Sequence, residues 1–106
     1  MADILVIDDE ASLASVFEQF LSGEGHQVRV ASSAADGLAA VVERQPDVVF
    51  MDVRMPGRSG LEALQEMRSQ FPAVDVVMMT AYGTSQTSID AIRTGAFDYL
   101  TKPLDL

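Results

Sequence analysis

The chain contains no cysteine and no tryptophan, one lysine (Lys102) and one histidine (His26). Without cysteine there is neither a disulfide framework nor a thiolate metal site. Any bound metal must therefore rest on oxygen or imidazole ligands. Basic residues are scarce as a class: seven Lys and Arg face sixteen Asp and Glu, a net charge of −9. Binding to a phosphate backbone depends on Lys and Arg, which argues against direct nucleic-acid binding by this domain. No apolar run approaches the roughly 18 residues of a membrane span. The opening MADILVIDDE lacks the basic flank and apolar core of a signal peptide. These absences predict a cytoplasmic protein with no membrane partner.

What the chain does have is material for one core. Its 106 residues are 48% hydrophobic, enough for a single domain. Strand-like and helix-like patterns alternate along it. DILVID (3–8) reads as a buried strand. Leu13, Val16, Phe17, Phe20 and Leu21 recur at helical spacing, and Gly23 and Gly25 end that helix. HQVRVA (26–31) alternates as a strand does, and Ser32 or Ser33 offers an N-cap to a second helix. That helix carries the stripe Ala35, Leu38, Ala39 and Val42 and closes at Pro46.

DVVFMD (47–52) is the third strand, and Leu61, Leu64 and Met67 mark a third helix ending near Phe71-Pro72. VDVVMMT (74–80) is the fourth strand. A fourth helix over roughly 84–94 has only Ile89 and Ile92 as large apolar residues and stops at Gly95. So thin a stripe predicts a lightly held element. FDYLTKP (97–103) is a short fifth strand. Such alternation predicts an α/β fold with a parallel sheet covered on both faces. One more helix would be expected after the fifth strand, so the domain, residues 1–106, reads as truncated before its C-terminal helix.

Parallel strands bring their C-terminal ends to one edge, and the polar groups collect there. Strand one ends in Asp8-Asp9-Glu10, strand three in Asp52 and strand four in Thr80, while strand five runs into Lys102. If the strand order is 2-1-3-4-5, the switch point lies between strands one and three. Asp8, Asp9 and Asp52 would then converge. Each acid alone reads equally well as a cap for the helix that follows. Together they call for a hard divalent cation, and all-oxygen ligands favour Mg²⁺. A lysine and a hydroxyl opposite the metal suit phosphoryl oxygens, and an Asp can act as the nucleophile.

The segments VIDDE, MDVRMPGRSG, MMTAYG and FDYLTKP resemble, in letters and in spacing, the four motifs of response-regulator receiver domains of two-component signalling. DVRMPG and AIRTGAFDYLTKP are most similar to receivers of the NtrC class, which usually precede an ATPase domain acting on sigma-54 polymerase and then a DNA-binding domain. The resemblance implies a flavodoxin-like, doubly wound, five-stranded parallel sheet of order 2-1-3-4-5, with the last helix absent from this chain. It implies that Asp52 accepts a phosphoryl group from a sensor histidine kinase or phosphotransfer protein. Asp9, with Asp8 partly through water, would hold Mg²⁺, helped by Asp52 and the backbone carbonyl of Arg54. Lys102 would pair with the phosphoryl group. Thr80 would swing towards it, and Tyr99 would turn into the space vacated.

The resemblance further implies a cis Lys102-Pro103 bond, a homodimer, and a phosphoacceptor that assists its own phosphorylation and slow dephosphorylation instead of acting as an enzyme on other substrates. The output controlled this way would be transcriptional. Ala81 is small and leaves access to Asp52, while Arg54 and Tyr82 occupy positions that tune hydrolysis in the family. Met51, Met55, Met78 and Met79 read as packing, His26 as structural, Arg58 as a solvated charge, and Gly57 and Gly60 as serving the turn and the start of helix three.

Three alternatives compete. A phosphatase of the haloacid dehalogenase type needs a second Asp two residues after its nucleophile, where this chain has Arg54. A flavodoxin-like FMN binder needs a Ser, Thr and Gly-rich loop after strand one, where this chain has DDEAS. A receiver-like docking module that takes no phosphate would keep the fold and lose the chemistry.

Overall fold

Short apolar runs bounded by acids, prolines and glycines give nine elements in strict alternation among the described residues. A computed structural model describes residues 2–54, 59–80 and 85–101. The order is β1 (Asp3–Ile7), α1 (Ala11–Gly23), β2 (Gln27–Ala31), α2 (Ala34–Glu43), β3 (Val48–Asp52), α3 (Gly60–Gln70), β4 (Asp75–Thr80), α4 (Ser85–Thr94) and β5 (Asp98–Thr101). All strand pairs are parallel, in the order β2-β1-β3-β4-β5. The fold is thus the five-stranded α/β sheet expected from the sequence. Met55, Gly57, Arg58, Ala81, Tyr82, Lys102 and the Lys102-Pro103 bond lie outside the described residues.

Alternation along each strand sends side chains into two cores. Leu5, Ile7, Val49, Met51, Val76 and Met78 pack beneath α2, α3 and α4, where Val41, Leu64, Met67 and Ala91 meet them. On the other face, Ile4, Val6 and Met79 pack against Ala14 and Phe17 of α1. There the Phe17 and Phe50 rings meet edge to face, with centroids 4.8 Å apart. Such a contact stabilises by about 1 kcal/mol beyond its buried area.

The helix faces depart from the expected stripes. Phe17 is buried as expected, but Val16 and Phe20 on α1 are exposed. On α2 the core-facing residues are Ala34, Gly37 and Val41, while Ala35, Ala39 and Val42 face outward and Val42 is 69% exposed. The reason is steric. A Cβ at Gly37 would collide with Cδ1 and lie 2.8 Å from Cγ1 of Ile7. The helix therefore turns its smallest position to β1 and comes close, which a hydrophobicity stripe cannot register. On α4 the buried anchor is Ala91, whereas Ile92 is half exposed. Ser33, not Ser32, caps α2, its side chain accepting the Asp36 N–H at 3.1 Å. His26 has a structural task, its Nδ1 accepting the Ala2 N–H at 3.0 Å.

Two chain ends of the α-elements are tied together by Arg68. Its Nη1 donates to the carbonyls of Pro72 at 3.0 Å and Val74 at 2.7 Å. Its stem also fills the space above Gly95, whose φ of 116° terminates α4. Hydrogen bonds from a charged donor contribute more than neutral ones. We expect Arg68→Ala to lower stability by about 2 kcal/mol in urea titration with an unchanged slope. A loss below about 0.5 kcal/mol would mean that water serves these carbonyls equally well. Among the described residues no helix is long and apolar enough to cross a membrane.

Candidate functional site

The register decides which polar groups meet. Ile7 of β1 is level with Met51 of β3, so the next residues, Asp8 and Asp52, stand side by side at the carboxyl edge. Asp52 is in turn level with Met79 of β4, which places Thr80 one step further out. This is the edge, and the switch point between β1 and β3, at which open parallel sheets place ligands.

Both acids are buried, Asp8 to 1% and Asp52 to 5% exposure. Each is oriented by the chain that follows it. Asp8 Oδ1 accepts the Glu10 N–H at 2.9 Å, and Asp52 Oδ1 accepts the Arg54 N–H at 3.0 Å. These are Asx-type turns, in which a short acid holds the backbone two residues on. They fix the direction of each carboxylate. Ionised carboxylates held this close repel, and burial weakens the screening of that repulsion.

Carboxylate oxygens of Asp8, Glu10 and Asp52 lie within 4.8 Å of one another. A hard, all-oxygen donor set at this spacing suits a divalent cation of the Mg²⁺ class. Asp9, expected in this group, is exposed and outside it. Glu10 stands there instead. A one-residue alternation beyond the strand end puts residues 8 and 10 on one side and residue 9 on the other. The DDE run contained that signal.

Thr80 is buried at 2% exposure, and its strand neighbour Met78 is level with Tyr99 of β5. Thr80 and Tyr99 therefore share a face, one diagonal step apart across two paired strands. Tyr99 packs against the larger core, and its hydroxyl is buried without a hydrogen-bond partner among the described residues. The ring is thus directed inward. Lys102, expected opposite the metal, falls outside the described residues.

Gly60 is a residue whose part in the site goes beyond opening α3. Its N–H donates to the Val53 carbonyl at 2.8 Å. A Cβ there would overlap the Asp52 carbonyl oxygen and lie 2.8 Å from Val53 Cα. The start of α3 is therefore pressed onto the backbone of the phosphoacceptor candidate.

The chain is similar to known proteins. Residues 4–106 match the family described as the response regulator receiver domain. The transcriptional regulatory protein ZraR of Escherichia coli O157:H7 is 44% identical over 103 residues, covering 97% of this chain and 23% of ZraR. The DNA-binding transcriptional regulator NtrC of Proteus hauseri is 38% identical over 104 residues, 98% of this chain and 22% of NtrC. The chain thus spans under a quarter of the length of these curated relatives. The crystal structure of NtrX from Brucella abortus in complex with ATP superposes with a TM-score of 0.92 at 42% identity, over 98% of this chain and 24% of that one. With the motifs, the sheet order and the paired edge acids all in agreement, the chain belongs to the response-regulator receiver domains, and its relatives lie in the NtrC class of sigma-54 activators.

Proposed function

We propose that the domain is a phosphorylation-dependent switch in which Asp52 accepts a phosphoryl group from the phosphohistidine of a sensor histidine kinase or phosphotransfer protein. Receiver domains are signalling domains and not conventional enzymes. The observation that carries the reading is the pair of buried, backbone-oriented acids at the β1/β3 edge. A carboxylate placed there without compensation would be costly. As a nucleophile beside a cation-binding neighbour it has a use.

In this reading an Asp52 oxygen attacks the donor phosphorus. The new P–O bond forms as the P–N bond breaks, and the imidazole takes up a proton as it leaves. Asp8, Asp9, Asp52 and the Arg54 carbonyl would hold Mg²⁺, which supplies charge compensation for the carboxylates and the phosphoryl oxygens. Lys102 pairs with the phosphoryl group, and the Thr80 hydroxyl turns towards it. Tyr99, already inward and on the same face, follows the Thr80 movement and passes it to the α4–β5 surface. The unit 1–106 serves as the phosphoacceptor module of a longer cytoplasmic regulator, whose output is transcriptional and whose assembly involves a homodimer. The domain itself does not contact nucleic acid.

Incubation with acetyl phosphate and Mg²⁺ is expected to add the mass of one phosphoryl group to the intact protein, and EDTA to prevent it. An unchanged mass for folded protein in excess donor would refute the reading.

A further inference from the structure

We propose that Gly37 is a positioning residue for the phosphoacceptor site: it lets α2 close onto Ile7 and thereby fixes the end of β1, and the Asp8 that follows, beside Asp52. The proposal rests on the phosphoacceptor reading and deepens it, since Gly37 itself lies outside the site. Glycine is the poorest helix former after proline, yet it stands inside α2. The position is buried, and an added Cβ would meet Cδ1, Cγ1 and Cγ2 of Ile7, the last two at 2.8 and 3.2 Å. Both branches of the Ile7 side chain therefore lie against Gly37. Turning χ1 leaves one of them in the way, and the residue is fully buried in a close-packed core, with no open side to turn to.

The helix is held on either side of this contact. One turn before Gly37 the Ser33 side chain accepts the Asp36 N–H at 3.1 Å, and the Ser33 carbonyl accepts the Gly37 N–H at 2.9 Å. Beyond it, Arg29 of β2 donates from Nη1 to the Ala40 carbonyl at 2.9 Å and from Nη2 to the Arg44 carbonyl at 2.6 Å. Ala34 and Val41 are buried to either side. A methyl at position 37 thus pushes on β1 instead of lifting α2. Ile7 is the last residue of β1, level with Ala31 of β2 and Met51 of β3. Asp8 comes next, and its N–H donates to the Ala31 carbonyl at 3.0 Å. A push on Ile7 therefore moves Asp8 against Asp52, which follows Met51 on a different strand. A misplacement of about 1 Å can cost about a hundredfold in rate.

Two measurements test this: the rate of phosphoryl transfer from acetyl phosphate in Mg²⁺, corrected for the folded fraction, and the amide shifts of Asp8 and Glu10 in metal-free protein. The Glu10 N–H reports on the Asp8 carboxylate that accepts it. Gly37→Ala should slow transfer about tenfold and move both shifts. Ile7→Val removes Cδ1, so the double variant carries one methyl across the contact at constant volume and should recover most of the rate and both shifts. Gly23→Ala adds a methyl where nothing lies within 4 Å and should change neither. Wild-type rate and shifts in Gly37→Ala overturn the proposal and leave the phosphoacceptor reading standing. A double variant as slow as Gly37→Ala also overturns it, since Gly37 would then not act through Ile7. If Gly37→Ala does not fold, the double variant decides alone: folded and fast supports the proposal, slow or unfolded refutes it. Wild-type protein that takes up no phosphoryl group overturns the phosphoacceptor reading and the proposal with it.

Discussion

Asp52→Asn is expected to give a folded chain that takes up no phosphoryl group and is more stable than wild type when Mg²⁺ is withheld. The first effect follows from removing the proposed nucleophile, since an amide oxygen does not form a stable acyl phosphate. The second follows from the geometry. Asp8 and Asp52 are both buried, with carboxylate oxygens within 4.8 Å. At an effective dielectric of about 20, two unit charges this far apart repel by about 3 kcal/mol. Relaxation and the nearby N–H groups reduce this, so a gain of about 1–2 kcal/mol is a reasonable expectation. The amide oxygen still accepts the Arg54 N–H, so the turn is preserved.

Mg²⁺ should reverse the order. A ligand at one hundred times its dissociation constant stabilises the native state by about 2.7 kcal/mol. Wild type should gain close to that amount and the variant much less. Urea titrations in EDTA and in Mg²⁺ give all four values. A variant that is less stable than wild type in EDTA would show that the Asp52 carboxylate contributes bonds that outweigh its repulsion, which would contradict this account.

The second large effect concerns Gly60. Gly60→Ala should cost about 3 kcal/mol, the upper part of the range for overpacking. Most small-to-large changes are eased when a neighbouring side chain swings aside. Here the obstructing atoms are the Asp52 carbonyl, Val53 Cα and the Val53 carbonyl, all of them backbone. The relief must come from moving the end of β3 or the start of α3. Either movement stretches the Gly60–Val53 hydrogen bond and shifts Asp52 relative to Asp8. The variant should therefore lose phosphorylation rate even where it remains folded. Denaturation midpoints and acetyl phosphate time courses separate the two effects. Wild-type stability together with a wild-type rate would show that the junction yields freely.

Sequence reasoning reached the sheet because strand signals here are local. Each strand is a short, nearly continuous apolar run, and the acids and threonine that end the runs fall at one edge once the strands are parallel. It misplaced helix faces where two adjacent stripes compete. On α2 Leu38 of the expected Ala35-Leu38-Ala39-Val42 stripe does pack against the core, but the choice of Ala34, Gly37 and Val41 over the rest depends on how closely the helix approaches Ile7, a tertiary quantity. On α4 Ala91 is buried and Ile92 half exposed, while the Ile89 side chain lies outside the described residues. At the site, Asp8, Asp52 and Thr80 were legible as strand ends. Glu10 was not singled out, because the Asx turn that brings it over Asp8 depends on a single side-chain hydrogen bond.

Tyr99 adds a practical consequence. The chain has no tryptophan and two tyrosines, so its near-ultraviolet signal comes chiefly from those two phenol rings. One of them, Tyr99, has a buried hydroxyl with no hydrogen-bond partner among the described residues. Phenol absorption shifts with the polarity around its oxygen, so a ring whose surroundings change alters its ultraviolet absorption without any attached dye. The domain thus carries its own optical reporter: difference spectra recorded as phosphodonor is added would follow any change around the Tyr99 ring directly, in unlabelled protein.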